Sequence, residues 1–249
     1  MSKMEGVLNS IVSNRRKGKK SLAVLLDPDK LKDEIRLNNI LELINQSKVD
    51  FVFVGGSLLV EDNFHNCLRK VKSLSSVPVV LFPGSPSQIS NEADAILFLS
   101  LISGRNPDLL IGQHVVAAPH LKKMNLEVIP TGYMLVECGR ATTASYISQT
   151  FPLPYNKPEI AAATAMAGEM LGLKIIYLDG GSGAEKPVSP KMISAVRNSV
   201  DIPIIIGGGI RNEEQAQEAY SAGADLIVVG TAFEEEPELL FAIAEARNS

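Results

Sequence analysis

The chain has no tryptophan, only two cysteines, and aromatic residues at just 5% of the total. Two cysteines cannot build a disulfide framework, and Cys67 and Cys138 show neither metal-ligand spacing nor a second ligand nearby. An excess of positive charge is also lacking. Lys plus Arg number 24 against 28 Asp plus Glu, a net charge of −4, which excludes a nucleic-acid binder that works through bulk positive charge. Long apolar runs are missing too. The longest apolar region, Ile160 to Leu178, is broken by Gly168, Glu169, Gly172 and Lys174, so it is not a membrane span. The stretch Met1 to Lys20 is polar and has no apolar core of a signal peptide. What is present is 249 residues, 45% of them hydrophobic. That is enough to bury a large core without staples and too apolar for disorder. The chain reads as a soluble, cytoplasmic α/β protein.

Short β-branched runs recur along it: Leu22–Leu26, Phe51–Val54, Val77–Phe82, Ala95–Leu99, Glu127–Pro130, Ile175–Leu178, Ile202–Ile206 and Leu226–Val229. Their near-continuous apolar character is that of parallel strands buried on both faces. Helical patterns lie between them, at Leu31–Ile44, Asp62–Leu74, Asp108–Met124, Pro158–Leu171 and Pro237–Ala246. Further helix starts are marked by Ser189-Pro190 and by a capping box of Asn212 with Gln215, and Gly223 marks a helix end. Only Ser85 to Glu92 separates the third strand from the fourth, which is short for a crossover helix. Thr131–Asn156 is an unusually long connection of the kind that often covers a site. Eight strands with mostly helical crossovers predict a (β/α)8 TIM barrel with an irregular, shortened third crossover, an open doubly wound sheet being the alternative. No internal repeat or linker marks a second domain, so residues 1–249 read as one barrel domain.

In a barrel the chemistry sits at the C-terminal ends of the strands. Those ends carry Asp27-Pro28-Asp29-Lys30, Gly55-Gly56-Ser57, Asp179-Gly180-Gly181-Ser182-Gly183, Gly207-Gly208-Gly209-Ile210-Arg211 and Gly230-Thr231. Glycines let backbone N–H groups converge on an anion. Gly181–Gly183, Gly208–Gly209 and Gly230–Thr231 are therefore expected to bind a phosphate monoester, with the Ser182 and Thr231 hydroxyls as further donors. Tight turns alone are the plainer reading of the same glycines. Asp27 and Ser57 end neighbouring strands and their oxygens suit one Mg2+ ion, although Asp-Pro-Asp is also good turn chemistry. Asp179 is placed to accept a proton from a bound hydroxyl, or to anchor its own turn. Tyr177 should point the same way as Asp179. Phe82, Ile96, Phe98, Tyr133 and Leu135 lie near strand ends, where they line an apolar groove or belong to the core. His65 reads as solvated, His114 and His120 as structural, and Glu234–Glu236 as a solvated helix start. Arg15–Lys20 is read as the solvated approach to the first strand, with contact to an anionic membrane as the alternative.

In their order, these motifs resemble the geranylgeranylglyceryl phosphate synthases and the related heptaprenylglyceryl phosphate synthases. The likeness runs from Leu22 to Thr231 and includes Tyr177-Leu178 ahead of Asp179. It implies a TIM barrel with an irregular third crossover. It also implies Mg2+-dependent prenyl transfer from a polyprenyl diphosphate, geranylgeranyl diphosphate first, to the C3 hydroxyl of sn-glycerol 1-phosphate. Asp27 and Ser57 would hold the magnesium. Tyr177, Leu178, Asp179, Gly180, Gly181, Ser182, Gly183, Gly208, Gly209, Gly230 and Thr231 would hold glycerol phosphate, with Asp179 as the base. Two positions depart from the pattern: the family usually carries Glu at Asp179, and some bacterial members carry Lys at Leu25. The resemblance further implies a homo-oligomer, dimer or hexamer, and peripheral membrane contact through the lipid product. A phosphosugar isomerase or flavin-dependent barrel, and a non-catalytic phosphate sensor, are the alternatives to this chemistry.

Overall fold

Apolar β-branched runs that bury both faces must be covered by helices outside and by one another inside, and here they are. The computed structural model describes residues 6–60, 63–230 and 239–248. Thr231, Glu234–Glu236 and the predicted helix start at Pro237 lie outside the described residues. The first half runs α1 (Val7–Arg16), β1 (Ser21–Leu26), α2 (Glu34–Gln46), β2 (Phe51–Val54), α3 (Phe64–Leu74), β3 (Val79–Leu81), β4 (Ala95–Leu101) and α4 (Gln113–Leu121). The second half runs β5 (Glu127–Leu135), α5 (Thr143–Ser148), α6 (Pro158–Met170), β6 (Ile175–Asp179), α7 (Pro190–Arg197), β7 (Ile204–Gly207), α8 (Glu213–Ala222), β8 (Leu226–Val229) and α9 (Leu239–Glu245). All neighbouring strands pair in parallel, and β8 returns to β1 with Ser21 opposite Leu226. The ring is therefore closed, and the open sheet is excluded.

Alternation along the strands divides the core in two. Ala23, Phe51, Phe53, Val80, Leu97, Tyr177, Ile205 and Val228 fill the barrel interior. Val24, Val52, Ile96, Leu178 and Ile206 face the helix layer instead. Each such side chain, fully buried, contributes about 1.5–3 kcal/mol. The foot of the barrel is plugged by α1, whose Val7 and Ile11 join the interior cluster. Glu127 on β5 caps this helix, accepting from the Val7 amide (2.6 Å) and the Leu8 amide (3.0 Å). The approach to the first strand is thus a packed helix. Nor is its basic run simply solvated: Arg15 lies 3.5 Å from Asp225, Lys19 pairs with Asp50 at 2.9 Å, and Lys20 donates to the Ala224 carbonyl.

The punctuation signals hold with one adjustment. Ser189 and Asn212 accept from the Met192 and Gln215 amides, and Gly223 ends α8 with φ +119°. Gln215, however, accepts from the Arg211 amide (2.8 Å), so only half of the box forms as drawn. Strand five is longer than its apolar run. Thr131–Leu135 continues β5, because β4 extends to Leu101 and pairs with it through Tyr133. The long connection consequently begins later and contains α5. The third crossover is short as expected, a single 3-10 turn at Pro86–Gln88. Buried Gln88 ties it to strand two, donating to the Gly56 carbonyl (3.0 Å) and accepting from the Gly84 amide. No helix among the described residues is long and apolar enough to cross a membrane.

Candidate active site

The glycines after strands six and seven interlock. Gly181, Gly183, Gly208 and Gly209 all have φ between +73° and +84°, a region that costs a residue with a Cβ atom. A Cβ on Gly208 would lie 2.7 Å from the Gly181 nitrogen and 2.9 Å from Asp179 Oδ1. The two turns therefore touch through bare backbone. The Gly180 amide donates to the Gly207 carbonyl and the Gly181 amide to Asp179 Oδ1 (2.7 Å). The Gly181 amide, expected to bind phosphate, thus serves the turn itself, as does that of Gly180. Those of Gly183, Gly208 and Gly209 have no partner among the described residues. Gly230 ends β8 beside Leu25.

Asp179 closes β6 and is 7% exposed. Its Oδ2 accepts from the Tyr133 hydroxyl at 2.6 Å and its Oδ1 from Gly181, so the turn-anchoring reading is realised. Burial raises its pKa above the ordinary carboxylate value, against the lowering effect of those two hydrogen bonds. Tyr177 points into the barrel as predicted, but its ring is buried against Phe82 (5.3 Å) and Tyr133 (5.6 Å). Its hydroxyl reaches Gly207, where a Cβ would stand 2.4 Å away. The Leu178 side chain faces the helix layer, wholly buried, so only its backbone borders the site. Ser182 is exposed on the turn.

Asp27 and Ser57 flank Gly56. Asp27 Oδ1 accepts from the Asp29 amide (3.1 Å), the turn geometry of Asp-Pro-Asp, and stands 3.5 Å from where a Gly56 Cβ would be. Gly55 is glycine for packing: at φ +151° its Cβ would meet the Phe82 carbonyl at 2.1 Å. Nearby, Asp29 has one carboxylate oxygen bonded to the Val60 amide and the other, Oδ1, buried with no partner among the described residues. The donors at this end are all hard oxygens, the set Mg2+ prefers. Among the described residues no group of three or more His, Cys, Asp or Glu side chains forms a metal cluster. Mg2+ held by one or two protein oxygens requires none.

From Gly56 and Ser57 an apolar groove of about 930 Å³, part of it open to solvent, runs outward. All five residues predicted for it, Phe82, Ile96, Phe98, Tyr133 and Leu135, line it, together with parts of α4 and α5. It lies where a full third crossover helix would have covered β4. From Ile96 to Leu101 it follows five strand steps, about 17 Å. Tyr133 belongs to both compartments, lining the groove and holding Asp179.

The walls hold His114, read from sequence as structural, and two arginines to which the sequence reading gives no role. His114 is buried in the groove wall against Phe98 (4.4 Å), its Nδ1 has no partner among the described residues, and burial lowers its pKa. Arg140 Nε donates to the Gly183 carbonyl (2.9 Å), and Arg211 Nη2 to the Ala184 carbonyl (2.8 Å). Two guanidinium groups therefore brace successive carbonyls of the strand-six turn. Arg211 belongs to the glycine motif after strand seven, whereas nothing in the sequence around Arg140 marks it. Cys138 packs on Gly180, and burial pushes its thiol up to about 12, so it is an inert wall.

Comparison with known proteins agrees with this geometry. The geranylgeranylglyceryl phosphate synthase of Chitinophaga pinensis is 52% identical over 240 residues, covering 96% of this chain and 95% of that protein. The enzyme of the same name from Thermococcus gammatolerans is 44% identical over 230 residues, 92% of this chain and 90% of its own. Among solved structures, (S)-3-O-geranylgeranylglyceryl phosphate synthase from Thermoplasma acidophilum, in complex with its substrate sn-glycerol-1-phosphate, superposes with a TM-score of 0.91. It is 32% identical and 98% of both chains is covered. The sequence profile of the PcrB family matches residues 14–247, and with relatives this close over nearly the whole length, the chain belongs to the PcrB family.

Proposed function

We propose that this protein is a prenyltransferase that joins a polyprenyl diphosphate, geranylgeranyl diphosphate first, to the C3 hydroxyl of sn-glycerol 1-phosphate. The observation that carries the reading is one site with two unlike compartments sharing a wall. A glycine-lined turn suits a phosphate, an apolar groove suits a long hydrocarbon, and Tyr133 borders both. The relatives named above carry this activity in their names.

In the proposed reaction the amides of Gly183, Gly208 and Gly209 fix glycerol phosphate and place its hydroxyl beside the allylic carbon. The groove holds the chain with its diphosphate toward Asp27 and Ser57. Those two residues would hold a magnesium ion, which would supply positive charge against the departing diphosphate. The bond between the allylic carbon and the diphosphate oxygen breaks, and the glycerol oxygen bonds that carbon. Asp179 takes the hydroxyl proton through a lone pair left over from Tyr133 and Gly181. Its raised pKa makes it a better base than an ordinary aspartate. The enzyme is proposed to work in the cytoplasm as a homo-oligomer, a state that would cover the exposed Met170 and Leu171 at the end of α6.

The test is transfer of radiolabelled sn-glycerol 1-phosphate to prenyl diphosphates of graded length, with and without Mg2+. Magnesium-dependent lipid product, absent with the sn-3 enantiomer, is expected. A preference for heptaprenyl diphosphate would move the protein to the related synthases. No product at any length would reject the transferase reading.

A further inference from the structure

We propose that α4 is a membrane-docking element that seats the groove against an anionic lipid surface. The inference rests on the transferase reading, because only a substrate and product with long hydrocarbon chains give the groove a reason to face lipid. One side of α4, with His114 and Ala117, forms the groove wall. Its opposite side should then be polar if it faced water alone. Instead Val115 is 65% exposed and Val116 58%, and Ile111 in the turn before them is 60% exposed. Pro119 continues the same exposed face.

Charge identifies the partner. The chain is net negative, yet the segments around the groove are not. Residues 82–90 and 142–153 carry no charged side chain, and residues 103–123 carry Arg105, Lys122 and Lys123 against Asp108 alone. Lys122 and Lys123 stand exposed at the end of α4. A helix with exposed aliphatic side chains ending in lysines matches the interface of an anionic bilayer, apolar side chains below the headgroups and ammonium groups among the phosphates. The basic run Arg15–Lys20, read from sequence as the alternative membrane contact, lies at the barrel foot with three of its residues engaged by the fold.

The experiment is co-sedimentation of the full chain with phosphatidylcholine vesicles and with mixed phosphatidylcholine–phosphatidylglycerol vesicles. Transfer from geranyl diphosphate, a short and water-soluble donor, is assayed beside it without vesicles. Binding to the mixed vesicles is expected, and weaker binding to phosphatidylcholine alone. Lys122→Gln with Lys123→Gln should weaken the former by about thirty-fold. Val115→Asp with Val116→Asp should abolish it. Both double variants should keep wild-type transfer from geranyl diphosphate, which also shows that they fold. Wild-type protein that ignores both vesicle types, or variants that bind as wild type does, overturns the proposal. So does light scattering in which Val115→Asp with Val116→Asp splits an oligomer, since the face then belongs to a second copy. Absence of wild-type transfer from prenyl diphosphates of every length, geranyl included, overturns the transferase reading instead, and is seen without any vesicle.

Discussion

Two buried aspartates sit at opposite ends of the same barrel, and they are satisfied in opposite ways. Asp225, at the foot just before β8, accepts from the Ile204 amide (2.9 Å) and pairs with Arg197 (2.9 Å) and Arg15 (3.5 Å). Asp179, at the mouth, is held by a tyrosine hydroxyl and one amide, both neutral. Burial raises the pKa of each. Only at the foot do cations oppose that rise. A carboxylate fixed by cations joins elements together, whereas one fixed by neutral donors keeps a basicity that chemistry can use.

The sharpest way to break the comparison is to neutralise the mouth. Asp179→Asn keeps an oxygen for the Gly181 amide, so folding and phosphate binding should survive while turnover falls about 100- to 10,000-fold. Saturating-substrate kinetics at near wild-type rate would remove Asp179 as the base. The converse at the foot is Asp225→Ala. It takes the ion-pair partner from Arg197, which keeps the Val200 and Ile202 carbonyls, and should cost about 3 kcal/mol, the low end for a broken buried pair. Urea unfolding reads this directly, and an unmoved midpoint would show that the foot cluster is ornamental. The folded protein of that variant should turn over normally.

Two smaller effects sharpen the picture at the mouth. Asp27→Asn should raise the magnesium concentration for half-maximal activity by at least about 10-fold; an unchanged titration takes Asp27 out of the metal site. Tyr133→Phe removes a hydrogen bond that favours the charged form of Asp179. The Asp179 pKa should then rise further, so that the acidic limb of the pH–rate profile moves to higher pH, with lower activity on the acid side. An unmoved limb would mean that another group sets it.

The interior apolar runs made most of the barrel legible, because a parallel strand buried on both faces has a local signature that needs no partner to be seen. The glycine-rich strand ends and the short third crossover were equally local. The apolar run of strand five stops at Pro130 because Thr131, Gly132 and Tyr133 interrupt it, and only pairing with β4 extends the strand. The N-terminal helix was missed because its two anchoring side chains, Val7 and Ile11, make too thin an apolar stripe to stand out of a polar segment.

The site divides along the same line. The five groove residues and the site glycines could be named from the chain alone, since position after a strand fixes which end of the barrel a residue occupies. What each does there depended on groups distant in sequence. The Tyr133 hydroxyl reaches Asp179 across 46 residues, Arg140 braces Gly183 across 43, and the Phe82 carbonyl is what forbids a side chain at Gly55. By itself the sequence determined the strands, the polar face and the kind of chemistry, through periodicity and turn residues that act over a few positions. The tertiary structure alone decided which glycine amides stay unpaired, which neighbours hold Asp179, and that the missing crossover helix becomes a groove, because those are contacts between elements that meet only when the ring closes.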